Sequence, residues 1–187
     1  MARSADPRER TPDSPARPVN TAVEASPSPL GALLIPRVLQ RPAALVHLDF
    51  APAHRQPSTV RIFLATVASL VGSLAADALI VVIGVALFPA TKGYVHFQFH
   101  DYAKLTVIGV IIACAAWPIV TRITSAPRWM FYRMAILVTL VLLLPDIYIL
   151  YLGQPGNAVA VLMVMHLAIA LVTYNLLIHL APTRPAR

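Results

Sequence analysis

Four uninterrupted apolar runs, residues 62–88, 103–120, 131–152 and 158–180, decide what this chain can become. Each holds about 18–27 residues. A helix rising 1.5 Å per residue needs about 20 to cross the hydrocarbon core of a bilayer. Strands of a membrane barrel would alternate apolar and polar side chains over about ten residues, and these runs are continuous. In lipid every backbone group must find its partner inside the segment, so each run is expected to be a helix. The short breaks between runs make consecutive helices antiparallel. The expected fold is therefore all-α, a transmembrane four-helix bundle running up-down-up-down.

Composition bears on what such a chain does. Hydrophobic residues make up 58% of the 187 and charged residues only 12%, about half the share usual in soluble domains. A net charge of +7 would suggest nucleic acid in a soluble protein. Here the basic residues lie between the apolar runs and in the N-terminal region, so no nucleic-acid partner is expected; the partner is the lipid bilayer. Arg55, Arg61, Arg122, Arg128, Arg133, Arg184 and Arg187 would share one side of the membrane, against Lys92 and Lys104 on the other. Cytoplasmic flanks collect Lys and Arg, which places both termini in the cytoplasm of a multi-pass protein. Trp117, Trp129 and Tyr132 would stand at the inner interface, and Tyr94, Tyr102, Tyr148 and Tyr151 at the outer one.

Residues 1–58 contrast with the rest. They carry ten of the 17 prolines, seven Arg and five acidic residues. Such a segment buries too little apolar surface to offset its ordering entropy, so a disordered, Pro/Arg-rich cytoplasmic tail is expected, followed by a transmembrane domain over 59–187. Within it, 30–50 is more apolar, but Pro36 and Pro42 cut it into pieces too short to span. No signal-peptide core occupies the first 30 residues. Val46 and Val60 are alternative starts for a tail of this composition.

Polar residues inside the apolar runs are the chemical signal. Thr66, Ser69, Ser73 and Asp77 follow helical spacing and share one face of the first helix. Beside them Ala68, Gly72 and Ala76 form a small-residue ridge that admits a close neighbour. Asp146 follows Pro145 in the third run, and His166 lies in the fourth. Asp77 and Asp146 each stand 15 residues from the inner end of their runs, about 22 Å, and His166 stands 14, about 21 Å. Charge at mid-membrane costs about 3 kcal/mol, and such groups normally pair or face a cavity. Asp77, Asp146 and His166 therefore form a candidate intramembrane polar cluster. Its alternative is structural: hydrogen-bonding glue at Asp77, a solvated carboxylate at Asp146, a packed imidazole at His166.

Other motifs are weak. The alternation in Val95-His96-Phe97-Gln98-Phe99-His100-Asp101 predicts an extended outer loop or aromatics dipping into the interface. Extension would hold His96 and His100 about 13 Å apart, too far to grip one metal. Cys114, the single cysteine, reads as a small packing residue. No nucleophile–base motif, phosphate loop, CxxC or HExxH occurs, so no enzyme activity, cofactor or metal is expected.

A basic loop at 122–133, a Leu/Val-rich helix ending in Pro145, and the string Leu162-Met163-Val164-Met165-His166-Leu167-Ala168 complete the pattern. Over roughly residues 60–181 the chain resembles a family of small four-span membrane proteins of high-GC bacteria that has no assigned function. The resemblance implies four helices and a bacterial inner-membrane location; it does not extend to Asp77 or Asp146. Together these features point to a non-enzymatic membrane component working with partners, either a second copy or another membrane protein. A small proton-coupled transporter using Asp77 is the alternative. Small multidrug exporters share four helices and a carboxylate in the first, but carry Glu in a shorter chain. A lipid- or quinone-binding membrane enzyme is the third class.

Overall fold

The computed structural model describes residues 54–185 of the chain. The expected disordered tail, with its apolar 30–50 segment, falls almost entirely outside the described residues. Four helices account for most of the described chain: α1 (Thr59–Leu87), α2 (Phe99–Ile123), α3 (Pro127–Tyr151) and α4 (Gly156–Leu180). Each is long and apolar enough to cross a membrane. Helix ends differ from the apolar runs by at most four residues; each helix starts two to four residues before its run, where the first turn includes polar or basic residues. Ser58 caps α1, its hydroxyl accepting from the Arg61 amide (3.4 Å).

The outward faces carry exposed Val71, Leu105, Leu137 and Leu171 among many others. A soluble monomer does not leave so much contiguous apolar surface to water. In a bilayer that surface meets acyl chains, and the inside of the bundle holds small and polar side chains beside two clusters of larger apolar ones.

Packing is unequal. α1 lies chiefly against α4, α2 against α1, and α3 against α4, while α2 and α3 touch little despite the short turn that joins them. Consecutive sequence does not make α2 and α3 close neighbours, because α3 aligns its buried residues Phe131, Thr139 and Asp146 in a stripe that packs on α4. The α1–α4 seam depends on glycine. A Cβ on Gly84 would stand 2.7 Å from Val161 Cγ2, and one on Gly72 would stand 3.0 Å from Val172 Cγ1.

Two apolar clusters close the ends. At the basic end Ala65, Val110, Cys114, Trp117, Val120, Phe131, Leu177 and Ala181 pack together. Trp117 is not an interfacial aromatic. It is fully buried, its Nε1 donates to the Ala181 carbonyl (3.0 Å), and its ring meets Phe131 edge-on at 5.0 Å. At the other end Phe97, Tyr102, Ala158, Val161 and Met165 form the second cluster, so Tyr102 too is inside rather than at the lipid interface. A two-residue antiparallel pair, His54–Arg55 with Arg184–Pro185, ties the chain entering α1 to the chain leaving α4. Gln56 docks beside it, donating to the Thr121 carbonyl (2.9 Å) and accepting from the Thr121 hydroxyl (2.6 Å). The ordered bundle thus begins before residue 59.

Candidate functional site

Helical spacing on α1 turns Ser69, Ser73 and Asp77 into the bundle, where all three are fully buried; Thr66 is half-buried at the edge of the same face. Thr66 returns its hydroxyl to the Ile62 carbonyl (2.9 Å), the usual way a hydroxyl is satisfied in a membrane helix. Ser73 Oγ and Thr173 Oγ1 face each other across the α1–α4 seam at 3.4 Å. Asp77 is held from α2: the Thr106 hydroxyl donates to its Oδ2 at 2.6 Å, a short, charge-assisted geometry. Asp77 Oδ1 and Ser69 Oγ are buried without a hydrogen-bond partner among the described residues.

α3 and α4 supply the second half of the site. His166 Nδ1 donates to Asp146 Oδ2 at 2.9 Å. Asp146 is only 5% exposed, so it is not a solvated carboxylate near the outer water layer. It follows Pro145, which lies inside the helix and removes one backbone hydrogen bond there. Of the three candidate residues, the structure joins Asp146 and His166 directly and seats Asp77 on Thr106 instead. His166 nonetheless bears electrostatically on both carboxylates, since it is near enough to Asp77 to act on it.

The loop between α1 and α2 covers this level. It forms two short 3-10 turns, Pro89–Thr91 and Val95–Phe97, and α2 already begins at Phe99. The extended conformation expected for this stretch does not form. Its aromatics cluster locally instead: Tyr94 packs edge-on against His96 (5.3 Å) and Phe97 (5.2 Å). His96 acts electrostatically on Asp146. Burial, and then the nearby Asp146 carboxylate, push the Tyr94 phenol above its ordinary pKa range, and its hydroxyl is buried without a hydrogen-bond partner among the described residues. His100 pairs with Asp101 at 3.3 Å, in the first turn of α2. Among the described residues no three His, Cys, Asp or Glu side chains converge as a metal site.

Sequence reasoning missed Thr106. The signal was available: it is the sole Ser or Thr in the run 103–120. Asn175, by contrast, is exposed on α4 and donates to the Leu171 carbonyl (2.7 Å), apart from the site.

What this arrangement can do is hold and exchange protons. A carboxylate–imidazole pair offers one shared proton, and a second carboxylate with a free oxygen stands within its field. No family model, no curated protein and no solved structure matches the chain.

Proposed function

We propose that this multi-pass protein is a non-enzymatic component of the bacterial inner membrane, with both termini in the cytoplasm. In this reading it works with membrane partners, and its buried Asp77 and Asp146 and half-buried His166 respond to protonation. The resemblance to small four-span bacterial proteins belongs to the same proposal. One observation carries it. A carboxylate–histidine pair at 2.9 Å bridges α3 and α4, and a second carboxylate, Asp77, is fully buried on α1. Ionisable groups inside a membrane bundle normally pair with one another or face a cavity.

The runner-up is a proton-coupled transporter using Asp77, favoured by the polar face Ser69–Ser73–Asp77 along α1. Proteoliposomes separate the two. Under an imposed pH gradient, read with a trapped pH-sensitive dye, the component reading expects a proton leak equal to that of protein-free vesicles. A flux that Asp77→Asn abolishes, with helicity and unfolding temperature unchanged, would replace it with the transporter.

A further inference from the structure

The α3–α4 seam is not closed along its length. Between Tyr132 and Leu143 on α3, and Leu167 and Tyr174 on α4, it opens into an apolar cavity of about 220 Å³ lined in part by Ala135 and Ala170. The eleven helical steps from Tyr132 to Leu143 give it a length of about 16 Å, roughly half the ~30 Å hydrocarbon core. It starts near the basic end of the bundle and stops near mid-membrane, so its span is that of the acyl region of one leaflet.

Two arginines flank the groove in the sequence of α3. Arg128 stands one helical turn before Tyr132 on the same stripe of α3, and Arg133 adjoins it; both are exposed. Arg133 lies over the Trp129 ring at 3.5 Å, an arrangement that holds the guanidinium in place and leaves its N–H edge available. The described acidic residues, Asp77, Asp101 and Asp146, sit toward the opposite end, so no carboxylate among the described residues neutralises these arginines. Tyr132 and Tyr174 meet edge-on at 5.7 Å at the rim, where aromatic rings favour the headgroup level.

We infer that this groove binds an anionic glycerophospholipid from the leaflet at the basic end. One acyl chain lies between α3 and α4, and the phosphate rests on Arg128 and Arg133. The apolar length selects a chain of that leaflet, and the exposed guanidinium groups of Arg128 and Arg133 select its charge.

The test uses the full chain in phosphatidylcholine vesicles, with chain-spin-labelled phosphatidylglycerol or phosphatidylcholine as the probe. Electron spin resonance reads the motionally restricted fraction of each. Phosphatidylglycerol is expected to be preferred, by up to about fivefold per arginine, and the preference should fall with added salt. Arg128→Gln with Arg133→Gln should bring the two lipids to parity. Ala170→Phe, which fills the groove from α4, and Ala135→Phe, which fills it from α3, should each reduce the preference. Leu137→Phe, on an exposed face of α3 outside the groove, should leave it intact. Circular dichroism and unfolding temperature show which variants are folded. The inference is overturned by equal restriction of both lipids in the wild type, or by a preference that survives both groove-filling variants. It is also overturned if those variants turn a dimer into a monomer, for then a second copy of the chain occupies the groove.

Discussion

At the residue scale, Asp77 shows how a single side chain can be costly and retained. Its burial is complete, and Thr106 satisfies one oxygen while the other stays unpartnered. Asp77→Asn keeps an acceptor for the Thr106 hydroxyl and removes the charge, so its effect on stability should be small. Asp77→Leu strands that hydroxyl and should cost about 1–3 kcal/mol. Unfolding of the purified protein in detergent, with both variants side by side, checks the order; equal losses would show that Thr106 does not depend on Asp77. The placement of Asp77 on the inward face was legible from the spacing of Ser69, Ser73 and Asp77 alone. Its partner was not, because helical spacing says which residues share a face and is silent on which neighbour that face meets. The burial of Trp117 was also hidden: a Trp near a helix end reads as interfacial, and only the packing of Phe131 and Ala181 around it turns it inward.

At the scale of elements, glycine sets how closely α1 can approach α4. The small-residue ridge of α1 pointed to Gly72, and the structure places Gly72 against Val172 and Leu176. The tighter contact lies elsewhere, at Gly84 against Val161, which is β-branched and has little freedom to rotate away. Gly84→Ala should therefore destabilise the protein by about 1–3 kcal/mol, and more than Gly72→Ala, where the neighbour contacts are longer. Thermal unfolding of both variants decides it; a Gly84→Ala protein as stable as the wild type would mean the α1–α4 seam is looser than described. The four helices themselves were legible because each is a continuous apolar run. Their neighbour relations were only half legible. A three-residue break between α2 and α3 suggests a tight hairpin, yet the inward residues of α3 bind it to α4, and side-chain stripes outrank connection length.

At the scale of the whole molecule, two features would make the protein: its orientation in the membrane and the polar level shared by its helices. Orientation rests on seven arginines against two lysines. A reporter fused after Arg187 is expected to read cytoplasmic and one inserted in 153–157 to read external; the reverse would invert the molecule and move the lipid groove to the other leaflet. The polar level is the claim on which the proposed function depends. Asp146 and His166 are hydrogen-bonded, Asp77 lies within electrostatic reach of His166, and His96 of the covering loop acts on Asp146. The direct measurement is a double-mutant cycle in the detergent-solubilised full chain, with thermal unfolding of the wild type, Asp146→Leu, His166→Leu and the double variant. The account predicts that the two losses do not add, because either single change breaks the same contact between α3 and α4. Losses that add within about 0.5 kcal/mol would contradict it and leave Asp146 and His166 as independent residues of their helices.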